Sequence, residues 1–106
     1  MSQLAAFGLT LAVELPWYVV GLVSLVGVRW PAALAWGFLV NACTHPVLWW
    51  ALTPQPSLVQ VLAAEAVVVV AETVLLAVAV RRDIAILALL SVAANTSSLL
   101  TGLLFN

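Results

Sequence analysis

The strongest constraint on this chain is four long apolar runs that follow one another with almost nothing between them. They cover Leu4–Val28, Pro31–Leu52, Ser57–Val80 and Asp83–Phe105. A helix needs about 20 apolar residues to cross about 30 Å of hydrocarbon, and each run is long enough. Transmembrane strands would be shorter and would alternate in polarity, whereas Val67-Val68-Val69-Val70 shows no alternation. The reading is an all-α membrane protein: a four-helix transmembrane bundle of antiparallel, up-down topology with short connections. Residues 1–106 form a single integral membrane domain.

Composition agrees with that class. Apolar residues make up 66% of the chain and charged residues 7%, against roughly a quarter charged in a soluble domain. Mean hydropathy is +1.26. Three arginines, four acids and no lysine leave no basic surface for nucleic acid. The single cysteine, Cys43, supports neither a disulfide framework nor a CxxC metal site. Met1-Ser2-Gln3 lacks the positive segment of a signal peptide, and the run behind it is too long, so it is read as a true first helix.

The breaks between runs are short. Pro31 opens the second helix, where its missing N–H costs nothing. Thr53-Pro54-Gln55-Pro56-Ser57 ends the second run before the third, because two prolines two apart cannot continue a helix. Arg81-Arg82-Asp83 divides the third from the fourth, with Asp83 as an N-cap. Every basic residue lies in the first or third connection. The positive-inside rule therefore places the Arg29 and Arg81-Arg82 loops in the cytoplasm and both termini outside, in a plasma or inner membrane. Trp49 and Trp50 suit an outer aromatic belt and Trp30 an inner one.

Each run also carries a polar stripe. In the second, Ala33, Gly37, Asn41 and His45 recur every four residues and share a face with Thr44 beside them. Small residues there let another helix approach closely, and the polar ones can hydrogen-bond across the contact. Pro46 frees the carbonyl of Ala42, predicting a kink or an exposed acceptor beside His45. The first helix puts Thr10, Glu14, Tyr18 and Gly21 on one face, and Pro16 predicts a second local break. Glu65 and Glu72 lie two turns apart on one stripe of the third helix, while Ser91, Asn95, Ser98 and Gly102 form the stripe of the fourth.

The carboxyls carry most of the information. An ionisable group at mid-membrane costs roughly 2.5–3.5 kcal/mol even on the lenient insertion scale. Centring each run in the bilayer puts His45 and Glu65 slightly toward the outside, Glu14, Asn41 and Asn95 near the midplane, and Glu72 toward the cytoplasm. Turned inward, these groups make a polar ladder. Glu14, His45, Glu65 and Glu72 are the expected proton- or cation-binding residues, with Asn41, Thr44, Asn95 and Ser98 as neutral support. No arginine sits within a span, so a protonated His45 is the one internal cationic partner available to the acids. A glutamate that holds a proton at rest and exchanges it for a cation suits proton-coupled transport or conduction.

Other chemistry is less well supported. A single histidine cannot supply the His clusters common at zinc or di-iron centres, although His45 and Glu65 are the best metal ligands on offer, with Glu14 as a third. Haem would need another axial ligand, such as a second copy of His45 in a dimer. Cys43 in lipid-like surroundings is a poor nucleophile. The sequence thus points away from an enzyme and requires no cofactor. The rival reading is an accessory or assembly subunit of a larger membrane complex, with the polar groups serving helix packing. Faces such as Ala5, Ala6 and Gly8, or Ala63 and Ala64, would then meet a partner. The implied partners are the lipid bilayer and either further copies of the chain or a complex.

In length, helix number and the placing of Glu14 in the first helix, the chain resembles the small multidrug resistance transporters. The resemblance covers general layout and that one residue. It implies a dimer in which Glu14 is shared by protons and cationic substrates. The chain departs from the family's aromatic-glycine pattern around the third helix, and His45, Glu65 and Glu72 are additional, so the sequence is not assigned to that family.

Overall fold

A computed structural model describes residues 2–51, 57–81 and 83–105, without the side chain of Phe105. Among these residues it contains α1 (Gln3–Gly21), α2 (Trp30–Ala51), α3 (Leu58–Val80) and α4 (Ile84–Phe105), and no strand. Leu52, the Thr53-Pro54-Gln55-Pro56 break, Arg82 and Asn106 lie outside the described residues.

Local sequence explains the helix ends. Ser2 caps α1 by accepting from the N–H of Ala5 at 3.1 Å. At α3, Ser57 and Gln60 form a reciprocal capping box. Asp83 caps α4, its carboxylate accepting from the N–H of Ala85 at 2.9 Å. Pro31 sits in the first turn of α2, where a proline is tolerated.

The local break expected at Pro16 does not interrupt its helix. Both α1 and α2 run through Pro16 and Pro46 without interruption. One missing N–H does not break a helix whose neighbouring turns are held by packing. The irregularity falls later instead. Leu22–Val26 widens into a π-helical turn, closed by Gly27 in the left-handed region at φ 81°. Glycine takes that conformation without a Cβ penalty, and the N–H of Val28 returns to the carbonyl of Leu22 at 2.9 Å.

Each helix packs against two others: α1 on α2 and α4, and α3 on α2 and α4. The result is a four-sided bundle of 39 × 22 × 20 Å. Gly37 lets α1 and α2 approach closely, for a Cβ there would lie 3.2 Å from the Cβ of Tyr18. Gly21 does the same for α1 and α4: an added Cβ would sit 2.9 Å from Leu90 Cγ and nearer still to both its methyl carbons.

Polarity is inverted relative to a soluble bundle. Glu14, Asn41, Thr44, His45, Glu72, Thr73, Ser91 and Asn95 are buried, while Val20, Leu25, Leu39, Val67, Leu89, Leu104 and many like them face outward. Helices α3, α4 and the α1 segment Gln3–Val26 are long and apolar enough to span a membrane. That makes the chain compatible with an integral membrane protein. The fourth expected span, α2, falls short on composition. Four tryptophans, two prolines, Asn41 and His45 dilute its apolar residues.

Candidate functional site

The centre of the bundle is Glu72, fully removed from solvent at 0% exposure. Each of the other three helices sends it a hydrogen bond. Tyr18 of α1 donates its hydroxyl to Oε1. Thr44 of α2 lies 2.6 Å from Oε2. Asn95 of α4 donates Nδ2 to Oε1 at 2.8 Å. The same amide donates to the carbonyl of Ser91 at 2.9 Å, and Ser91 Oγ donates in turn to the carbonyl of Val69 at 3.2 Å. Helical spacing explains the convergence: Tyr18 shares a face with Glu14, and Asn95 shares one with Ser91, each four residues apart.

Glu14 forms a second, smaller centre, buried at 2% exposure. Its Oε2 lies 2.6 Å from Ser98 Oγ, and its Oε1 has no partner. Ser98 Oγ is also 3.2 Å from the carbonyl of Asn95. Asn95 thus neighbours both centres, its backbone carbonyl beside Ser98 and its side-chain amide on Glu72.

Counting protons exposes a property of both centres. A hydroxyl has one proton to donate. Thr44 Oγ1 faces two acceptors, the carbonyl of Val40 at 2.9 Å and Glu72 Oε2 at 2.6 Å. With Glu72 ionised, Thr44 donates to the carboxylate, and the Val40 carbonyl keeps its helical N–H. With Glu72 protonated on Oε2, the acid donates to Thr44, which turns its own proton to Val40. Ser98 offers Glu14 the same alternative, its second acceptor being the carbonyl of Asn95. Either placement of the protons fits the same heavy-atom distances.

The remaining expected residues are placed less centrally. Asn41 is buried, but its Nδ2 donates back to the carbonyl of Gly37 at 2.8 Å rather than to another helix. Glu65 is half-buried, and its Oε2 has no partner. His45 is 7% exposed, and neither ring nitrogen makes a hydrogen bond. The backbone of Gln3 approaches the imidazole without meeting hydrogen-bond geometry. The His45 ring lies beside Phe7 and Trp49, with centroids 5.2 and 6.3 Å away. No His45–Glu65 ion pair occurs among the described residues. No group of three or more His, Cys, Asp or Glu spaced for a metal occurs among them either. Cys43 faces outward from the bundle.

Centring the runs puts Glu72 a step from Asn95 toward the cytoplasm, whereas direct hydrogen bonds join it to Asn95 and Thr44. A glutamate side chain reaches most of a helical turn, so levels taken from backbone position misjudge where a carboxyl ends. Tyr18 and Ser91 enter the network beyond the expected set. Their position on the Glu14 and Asn95 stripes was the available signal. No protein-family model, curated protein or solved structure matches this chain.

Proposed function

We propose that this chain is an integral membrane bundle that transfers protons, alone or in exchange for a small cation, through Glu14 and Glu72. The observation that carries the reading is the pair of ambivalent hydroxyls. Thr44 and Ser98 each lie within hydrogen-bond distance of a carboxyl and of a second, backbone acceptor, which suits a carboxyl that gains and loses a proton. An exchange site needs two protonation states of similar energy, and a hydroxyl that redirects its bond supplies them. The unpartnered Oε1 of Glu14 leaves one oxygen for an incoming proton or cation.

In this reading the helices alternate in direction. Gly21 faces Leu90 while Glu14 meets Ser98, so contacts descend α4 as they climb α1. Arg29 and the Arg81-Arg82 loop face the cytoplasm and both termini face outward. The outward apolar side chains meet the acyl chains of a plasma or inner membrane. Exposed Trp30 and Trp50 mark its two interfaces. Glu65 and His45, both with unpaired atoms, serve as the outer relay. Homo-oligomers are the working form.

The test is proton release from purified protein on addition of sodium, potassium or tetramethylammonium at several pH values. Release by the wild type that disappears in both Glu14→Gln and Glu72→Gln, with folding retained, is the expected result. Release that persists in both variants, or no release from the wild type at any pH, defeats the proposal.

A second reading rests on a separate observation. Gly8 has open space where a Cβ would stand, and Ala5 and Ala63 are exposed. Uncovered small residues on a membrane helix suit close approach by another helix. The chain is then a subunit of a larger membrane complex, and Glu72 is a clamp that fixes the register of four helices. Such a subunit would be unstable when expressed without its partner, whereas a transporter would purify alone as a homo-oligomer.

A further inference from the structure

We infer that the carboxyl network is open to water from one end of the bundle only. A vestibule enters between the helix ends nearest Ser2, Ala51, Ser57 and Leu104 and stops at Ser98, while Leu22, Leu76 and Leu87 plug the end that carries Arg29 and Arg81. This deepens the exchange reading, on which it rests for its purpose, by naming the side from which protons and small cations arrive.

Each inward stripe can be followed in both directions from the network. Toward Arg29 and Arg81 the stripes continue into Leu22, Ala33, Leu76 and Leu87, each four residues beyond Tyr18, Gly37, Glu72 and Ser91 respectively. All four are at 0% exposure. They belong to one hydrophobic cluster, with Val26, Val28, Val80 and Ile86 packed against it. Toward the other end the stripes continue into Thr10, Leu48, Glu65 and Gly102, and all four are only half-buried. The contrast extends beyond the stripes: among the described residues, none of 3–13, 46–51, 58–67 or 96–104 is buried. Two glycines on inward faces differ in the same way. An added Cβ at Gly21 would collide with Leu90, whereas at Gly102 it would meet nothing within 4 Å.

A ring of enclosed leucines stops water and ions by dewetting. Half-buried inward positions leave room for water instead, and ionisable residues within a membrane commonly face such a cavity. The vestibule ends where burial begins. Ser98 is half-buried, and Glu14, whose Oε2 lies 2.6 Å from it, is 2% exposed, so vestibule water meets the partner of the acid rather than the acid itself. Charge sets what enters. The four segments around the vestibule contain one acid, Glu65, and no arginine or lysine. Protons and cations are therefore admitted and anions repelled.

The experiment places single cysteines in a Cys43→Ala background of the purified full chain, held in lipid nanodiscs that expose both membrane faces. The probe is a cationic, water-soluble reagent, methanethiosulfonate ethyltrimethylammonium. Leu100 is nearer the end of α4 than Ser98 but is exposed on the outer side of the bundle. Ser98→Cys should react about tenfold faster than Leu100→Cys, because the reactive thiolate forms in water and not among acyl chains. Leu87→Cys lies three residues from the start of α4, yet should stay unreacted until SDS is added; Ala33→Cys is the second probe of the plug should the leucine variant unfold. Gly102→Phe, added to Ser98→Cys, fills the vestibule and should return its rate to that of Leu100→Cys while circular dichroism stays unchanged. The inference is overturned if Ser98→Cys reacts no faster than Leu100→Cys, or if a folded plug variant reacts as fast as Ser98→Cys. An unaltered rate in the folded Gly102→Phe variant overturns it as well. Labelling reads access alone, so it decides the vestibule whether or not the wild type releases protons, and proton release decides exchange separately.

Discussion

Replacing Glu72 separates a carboxyl that tolerates either protonation state from one that must be charged. In Glu72→Gln, the amide oxygen takes the place of Oε1 and accepts from Tyr18 and Asn95. Its NH2 takes the place of Oε2 and donates to Thr44, which turns its proton to the Val40 carbonyl 2.9 Å away. Glutamine therefore copies the protonated acid at every contact, leaving one amide hydrogen without an acceptor, a loss of about 1 kcal/mol. Glu72→Ala is different. Thr44 keeps Val40 and Asn95 keeps Ser91, but the Tyr18 hydroxyl and one Asn95 N–H lose their acceptor in a fully buried site. Two orphaned donors at about 1–3 kcal/mol each give about 2–6 kcal/mol. Three lost interhelical bonds at the membrane average of about 0.6 kcal/mol give a floor near the same lower figure. Reversible unfolding in mixed micelles by added SDS, followed by far-UV circular dichroism, resolves the two variants. A Glu72→Gln protein as unstable as Glu72→Ala would mean that only the ionised carboxylate fits, and would refute the two-state argument.

Other perturbations address single contacts. Tyr18→Phe removes one of the three donors to Glu72 and should cost about 0.6–1.7 kcal/mol in the same assay; a loss well above that range would show that the ring itself is displaced. Gly21→Ala drives a methyl into Leu90 and should cost about 1–3 kcal/mol, whereas Gly8→Ala meets open space and should be neutral in isolated protein. Cys43 faces outward at the middle of α2, so in proteoliposomes it should resist a water-soluble maleimide and react only after SDS is added; rapid labelling in intact vesicles would contradict bilayer insertion. In a Cys43→Ala background, Ser2→Cys should be labelled from outside the cell by an impermeant maleimide, and protection there would reverse the proposed orientation.

Helix number and the helix starts were legible because their signals are local. Apolar length sets each helix, and Ser57, Asp83 and Pro31 mark starts by chemistry confined to one turn. Stripes were legible too: Glu14 with Tyr18, and Ser91 with Asn95, share faces that periodicity alone identifies. Rank within a stripe was not. Glu65 and Glu72 are two turns apart on one face, yet Glu72 is fully enclosed and Glu65 half-buried. What separates them is the residues that three other helices bring opposite each one, and that information lies in pairing rather than spacing. Asn41 and Thr44 make the same point. Both are buried on α2, but the longer amide folds back to Gly37 while the shorter hydroxyl reaches Glu72.

The choice of Thr44 and Ser98 as carboxyl partners also bears on why the bundle carries no internal arginine. A guanidinium beside Glu72 would stabilise only the ionised state, fixing the charge and leaving a buried ion pair whose desolvation offsets most of its attraction. A hydroxyl with a spare backbone acceptor favours neither state strongly, because it is donor to one and acceptor from the other. Four short helices with their apolar faces outward have little other means of holding an acid in the interior. Thr44→Val separates this role from mere bracing. It removes the redirecting hydroxyl but keeps the shape, so Glu72 retains Tyr18 and Asn95 and the bundle should lose no more than about 1.5 kcal/mol. Both states lose one bond, but the one lost by the ionised carboxylate is charge-assisted and the stronger, so proton release should nevertheless fall. Release equal to wild type in folded Thr44→Val would show that the hydroxyl is a structural contact and that exchange, if it occurs, does not pass through it.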